Sequence, residues 1–163
     1  MNAVATLYPQ INNGVSGVIR FHQCNPKSQT LVVIRLSGFK PFQTHAIHIH
    51  EFGDLTQGCT SLGAHFNPDN TTHGSYQYPQ YPRHAGDMIN NITSDAKGNV
   101  ELEYFDDKIS IFQGKYNVIG RSIVIHKKPD DLGRGTGDSL VTGNAGERIA
   151  CAVIGLAKSE RCM

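Results

Sequence analysis

No stretch of this sequence is apolar for long enough to span a membrane. Residues 1–8 show no charged segment leading into a long apolar run, so no secretory leader is expected and the cytoplasm is the expected location. Neither sign of charge dominates. Fifteen Lys and Arg face fourteen Asp and Glu, a net charge of +1, which leaves no electrostatic footprint for nucleic acid. No amphipathic pattern runs longer than two helical turns, and no repeat, linker or low-complexity tract appears. The expectation is one domain over residues 1–163 with a short tail at 158–163.

What is present points to an all-β chain. Short apolar or alternating runs at residues 3–8, 17–23, 30–37, 45–50, 86–93, 99–106, 117–126 and 148–155 read as eight strands. Asn12-Asn13-Gly14 is a tight-turn signal between the first two, and residues 95–99 carry another. Eight short strands separated by turns and two long loops argue for a β-sandwich or flattened barrel.

Histidine is where the sequence becomes specific. His48 and His50 alternate with Ile47 and Ile49, so a strand would turn both imidazoles to one face and both isoleucines into a core. His45 falls on the opposite face and reads as a structural hydrogen-bonding residue. Such a pair alone could equally be two solvated side chains. The following stretch, rich in Gly, Pro, Asn and Tyr, delivers His65, His73, His84 and Asp87. Loops of this length are either functional or disordered. Three imidazoles and a carboxylate suit a tetrahedral zinc ion, which would supply the organisation that such a loop lacks. With His126, six of the eight histidines fall in one candidate constellation.

These motifs together resemble the copper/zinc superoxide dismutases over nearly the whole chain. The resemblance is carried by Ala46-Ile47-His48-Ile49-His50-Glu51-Phe52-Gly53-Asp54, Gly58-Cys59-Thr60-Ser61 and His65-Phe66-Asn67-Pro68. It continues in His84-Ala85-Gly86-Asp87, Ile119-Gly120-Arg121-Ser122, Val124-Ile125-His126, Asp130-Asp131-Leu132-Gly133 and the run from Thr142-Gly143-Asn144 through Arg148 to Cys151. It implies an eight-stranded Greek-key sandwich with long metal-binding and electrostatic loops. It also implies an enzyme that disproportionates superoxide to oxygen and hydrogen peroxide, with one copper and one zinc ion per subunit.

By the same resemblance copper would be held by His48, His50, His65 and His126, and zinc by His65, His73, His84 and Asp87, with His65 bridging both. Asp130 would link a copper ligand to a zinc ligand from outside, fixing ring orientation. Arg148 would receive the anion beside the copper, Thr142 would narrow the entrance, and Lys128 would keep part of a guiding field. Cys59 would pair with Cys151, closing a loop whose entropy in a simple model contributes up to about 4.7 kcal/mol. Cys24 and Cys162 are left outside that pair. A homodimer would form through Phe52, Gly53, Ile119, Gly120, Val153, Gly155 and Leu156, and a copper chaperone is a candidate partner. Membrane and nucleic acid are not expected partners.

The chain departs from the family pattern in three places. Ala46 stands where Gly is common. The spacing from His73 to His84, eleven residues, is longer than usual and carries Ser75-Tyr76-Gln77-Tyr78-Pro79-Gln80-Tyr81-Pro82. Val141 stands where Lys is common, so the field that steers an anion is weakened. Two other readings compete: an inactive relative that binds metal or partners, and a metal-storage protein. The first should have lost copper ligands or the arginine, which are all present. The second differs from an enzyme only in an assay of the metal-loaded protein.

Overall fold

Strand alternation decides which residues enter the core. In β3 (Thr30–Ser37), Thr30, Val32, Ile34 and Leu36 are buried while their neighbours are not. The computed structural model describes residues 1–158, so Cys162 and most of the expected tail lie outside the described residues. β1 (Asn2–Leu7) and β2 (Ser16–His22) form a hairpin whose turn places Asn13 and Gly14 at φ 53° and 87°. Both are left-handed angles, which Asn and Gly tolerate best. β4 (Thr44–His50), β5 (Asn91–Thr93), β6 (Val100–Asp106), β7 (Ser122–His126), β8 (Arg148–Val153) and β9 (Gly155–Leu156) complete the set.

They build two antiparallel sheets, ordered β6-β3-β2-β1-β9 and β5-β4-β7-β8. β3 and β4 are consecutive in the chain but lie in different sheets, and β4 pairs with β7 rather than with a sequence neighbour on that side, as a Greek-key sandwich requires. Between the sheets sit Leu7, Ile19, Phe21, Ile34, Ile47, Ile49, Ile123 and Ile125, each at most 2% exposed. Removing one such side chain from water contributes about 1.5–3 kcal/mol. No helix among the described residues is long and apolar enough to cross a membrane. Among the described residues the one α-helix, α1 (Ser139–Thr142), is a single turn.

β4 and β7 are buried along nearly their whole length, whereas β3 alternates. One face of β4 and β7 lies on the core. The other is roofed by the long loops, and this covered face carries His48, His50 and His126. A disulfide joins Cys59 to Cys151 across 92 residues and ties the loop after β4 to β8. Cys24 is exposed beyond β2.

Three expected strands are shorter or divided. Residues 86–93 form a strand only at Asn91–Thr93. Before it, Asp87 accepts the His84 amide in a 3-10 turn at Ala85–Asp87, and Met88 and Asn90 adopt φ 49° and 65°, which no strand allows. Residues 117–121 turn instead of extending, since Asn117 Oδ1 accepts the Ile119 amide and Gly120 sits at φ 81°. The final strand breaks at Ile154, and β9 crosses to pair with β1 in the other sheet.

Candidate metal centre

Strand β4 presents His48 and His50 two residues apart, β7 ends on His126, and the loop returns His65 beside them through an isolated bridge between His50 and His65. One potential ligand atom from each of these four histidines lies within 4.8 Å of the other three, and all four residues are buried. Their free nitrogens are fixed by what the other ring nitrogen does. His50 Nδ1 donates to the Gly63 carbonyl at 2.9 Å, and His126 Nδ1 donates to the Gly146 carbonyl at 3.0 Å. The two Nε2 atoms then face each other at 3.3 Å. His48 Nε2 donates to Asp130 Oδ2 at 2.7 Å, which leaves His48 Nδ1 buried without a partner. His65 Nε2 is likewise buried and unpartnered. Orphaned buried polar atoms are costly and rare in folded proteins.

A second cluster shares His65. Asp87 Oδ1 lies 3.1 Å from His65 Nδ1, 2.8 Å from His73 Nδ1 and 3.0 Å from His84 Nδ1. Asp87 Oδ2 is held by the amides of Gly74 and His84 at 3.0 and 2.8 Å. Asp130 joins the clusters from outside, accepting from His48 with one oxygen and from His73 Nε2 with the other at 2.9 Å. The αL residue Gly143 packs here. A Cβ on it would come within 2.4 Å of Asp130 Oδ1 and 2.6 Å of His73 Nε2, so only glycine fits.

The electrostatics suit cations. Burial and the neighbouring His65 push His48 down to about 3, and burial pushes His126 down to about 4, so both rings are neutral near pH 7 with lone pairs free. Burial lowers His50 and His65 as well. Burial opposes a charge on His73, yet its hydrogen bonds to Asp130 and Asp87 raise it to about 9. Burial also opposes ionisation of Asp87, which the three imidazoles nonetheless hold well below the usual carboxylate range. The side chains of Asp87 and Asp130 are fully buried. Two buried carboxylates that meet imidazoles, amides and backbone N–H groups but no Lys or Arg make a negative site that a metal ion would suit.

His50, His65 and His126 open on a cavity of about 520 Å³ that is also lined by Lys128, Asp138, Val141, Thr142 and Arg148. His73, His84 and Asp87 do not line it. Arg148, paired across the sheet with His126, donates Nη1 to the Cys59 carbonyl at 2.8 Å and Nη2 to the Gly63 carbonyl at 2.5 Å. Lys127 is occupied by Glu147 at 3.0 Å, and the cations that line the cavity are Lys128 and Arg148. Every candidate site residue named from the sequence is thus at one of the clusters, at Asp130, in the disulfide or around this cavity. His45 is the structural histidine expected, its Nδ1 donating to the His126 carbonyl at 2.9 Å.

Sequence reasoning missed Asn90. Its amide donates to the Gly74 carbonyl at 2.8 Å and to Asp130 Oδ2 at 3.1 Å, and its Oδ1 accepts the Tyr76 amide at 2.8 Å. Asn91 also grips Asp130, exchanging hydrogen bonds with its backbone. An Asn-Asn pair inside an expected strand was the available signal, because Asn is a poor strand former and accepts positive φ.

The comparisons agree with this geometry. The family described as copper/zinc superoxide dismutase matches residues 15–154. The Cu-Zn superoxide dismutase of Schizosaccharomyces pombe is 48% identical over 158 residues, covering 96% of this chain and 99% of that protein. The Cu-Zn superoxide dismutase of Paramecium bursaria Chlorella virus 1 is 47% identical over 149 residues, covering 91% of this chain and 76% of that protein. The crystal structure of the clock protein EA4 superposes with a TM-score of 0.85 at 38% identity, covering 96% and 94% of the two chains. With a family match across most of its length and relatives of this identity, the chain belongs to the copper/zinc superoxide dismutase family.

Proposed function

We propose that His48, His50, His65 and His126 hold copper, that His65, His73, His84 and Asp87 hold zinc, and that Arg148 receives superoxide beside the copper. The enzyme is an oxidoreductase, a superoxide dismutase that uses copper and zinc. The observation that carries the assignment is the pair of four-residue clusters sharing His65, with His48 Nδ1 and His65 Nε2 both buried and unpartnered. The all-nitrogen cluster that opens on the cavity suits copper, and the cluster with a carboxylate, shut away from it, suits zinc. Held by His48, His50, His65 and His126, copper would supply the one-electron redox chemistry by which two superoxide ions and two protons become oxygen and hydrogen peroxide. Zinc supplies charge and structure without redox chemistry.

The chain's own residues do the rest. Arg148 stays protonated and holds a fixed charge in the wall of the cavity, oriented by two carbonyls. Lys128 adds charge at the entrance and Thr142 narrows it. His65 Nδ1 lies against Asp87 while its Nε2 is buried without a partner, so Nε2 is the atom that would carry a proton when no metal holds it. Asp130 keeps the rings of His48 and His73 from rotating. Replacing His126 by Ala tests the division of labour. Copper content should fall to background while zinc stays near one per chain. Loss of both metals together would contradict two separable sites.

The finer readings rest on the same footing. One domain over residues 1–163 is supported by both clusters drawing ligands from segments spread between β4 and β7. A homodimer through Phe52, Gly53, Ile119, Gly120, Val153, Gly155 and Leu156 is supported by exposure of Phe52 (52%) and Leu156 (68%), and by open space where a Cβ on Gly120 or Gly155 would stand. Gly53 serves its own chain instead, since a Cβ there would lie 2.3 Å from the Gly120 carbonyl oxygen. Copper delivery by a chaperone and a cytoplasmic location belong to the same proposal, and cell fractionation tests the latter.

A further inference from the structure

We propose that Tyr76 and Tyr104 are positioning residues for the zinc site, forming with Arg83 a clamp that fixes the 73–84 segment to β6. The proposal rests on the zinc assignment above. The segment has to deliver His73 and His84 to one ion from opposite ends of a ten-residue excursion, residues 74–83. A loop of that length has little core of its own, and each extra residue adds conformations in which the two imidazoles lie apart.

β6 is the edge strand of the five-stranded sheet, and its alternation buries Val100, Tyr104 and Asp106 on one face. Tyr104 and Asp106, two residues apart, therefore reach the loop side by side. The ring of Tyr76 stands edge-on to that of Tyr104, with centroids 5.3 Å apart and planes at 79°, a favoured aromatic geometry. The Tyr76 hydroxyl donates to the Phe105 carbonyl at 2.8 Å. Arg83 donates to Asp106 Oδ1 and Asp107 Oδ1, each at 3.0 Å, and its guanidinium lies 5.5 Å from the Tyr76 ring centroid. Lys108 Nζ donates to the Arg83 carbonyl at 3.1 Å.

These contacts bracket the excursion. Arg83 adjoins the ligand His84. Tyr76 lies three residues after His73, and its amide is held by Asn90, whose own amide holds Gly74 and Asp130. Residues 77–82 lie between the two anchors, which separate them from the ligand-bearing ends. The extra length is thus used at its two ends, where it touches the sheet.

The test uses the copper- and zinc-loaded protein and follows zinc release to a chromogenic chelator. In parallel, cobalt placed in the zinc site reports ligand geometry through its visible bands. Tyr76→Ala should release zinc roughly tenfold faster, the size expected from losing a stacked aromatic contact and its hydrogen bond, and should alter the cobalt spectrum. Tyr104→Ala should do the same. Tyr76→Phe keeps the ring and should restore the wild-type cobalt spectrum and most of the retention. Leu7→Ala, a core change on β1, three strands away from β6, should lower overall stability and leave zinc release unchanged. Wild-type release and spectrum in both tyrosine-to-alanine variants would overturn the clamp, as would equal acceleration by Leu7→Ala. Wild-type protein that takes up neither zinc nor cobalt would instead overturn the zinc assignment, and the clamp with it.

Discussion

Gly63 offers one carbonyl oxygen to two side chains, His50 Nδ1 and Arg148 Nη2. The first bond turns His50 Nε2 toward His126 Nε2, and the second fixes the cation that lines the same cavity. The proposed copper ligand and the proposed anion site are therefore set by a single backbone atom. Replacing Arg148 by Ala leaves the His50 bond in place and removes a charge-assisted contact to the anion. Such contacts are worth about 1.5–3 kcal/mol, so kcat/KM should drop roughly 10- to 100-fold with copper content unchanged, as read by superoxide decay kinetics and metal analysis. The drop should shrink at high salt, where the remaining field is screened. Unchanged kinetics at low salt would mean that Arg148 only braces the loop. Asn90 gives a second single-residue test. At φ 65° it occupies a conformation that costs glycine nothing. Asn90→Gly therefore isolates the loss of the side-chain amide, and zinc should be released faster to a chelator than from wild type. Equal retention would show that backbone geometry alone matters there.

At the level of elements, the metal centre is a covered sheet face. β4 and β7 supply three histidines on one side, and the loops bring the remaining ligands down as a roof. This explains which parts were legible in the sequence. The alternation of Ile47, His48, Ile49 and His50 encodes both strand and site, because a period of two places ligands and core on opposite faces. The turn at Asn12-Asn13-Gly14 is equally local. The backbone of 85–93 was not legible, since Asp87 and Asn90 satisfy partners from remote segments and that network overrides the apolar pattern of Met88 and Ile89. Nor was the contact of Tyr76 with Tyr104, which depends on where the loop meets an edge strand. The break at Ile154 escaped for the same reason: β9 leaves one sheet to pair with Val4 and Ala3 in the other. The disulfide joins the Cys59 loop, which holds Arg148, to β8. Cys59→Ser should lower stability by about 2–5 kcal/mol and reduce kcat/KM as well, measured by urea denaturation and superoxide decay. A loss of stability with full activity would show that Arg148 does not depend on the tether.

For the whole molecule, the metal-free protein should be most stable near pH 6.5. An unfolded chain protonates its histidines near 6.5, whereas burial and His65 hold His48 at about 3 and burial holds His126 at about 4. As pH falls from 6.5 toward 4 the unfolded state binds more protons, so stability falls. His73, raised to about 9 against its burial by Asp130 and Asp87, acts in the other direction. Its contribution is fully present below 6.5 and is lost as pH rises through 9. The urea midpoint of metal-free protein should therefore pass through a maximum, and a midpoint that climbs steadily to pH 9 would contradict these environments. The proposed dimer is tested by Leu156→Glu, which changes an exposed side chain on β9 without straining the backbone. Sedimentation should show wild type at twice the chain mass and the variant at the chain mass, and a monomeric wild type would refute the interface. The most direct test of the central claim is superoxide decay after pulse radiolysis, comparing protein loaded with copper and zinc against protein loaded with zinc alone. The doubly loaded protein should remove superoxide catalytically over many turnovers, and the zinc-only protein should match buffer. Decay no faster than buffer in the doubly loaded protein would contradict the account.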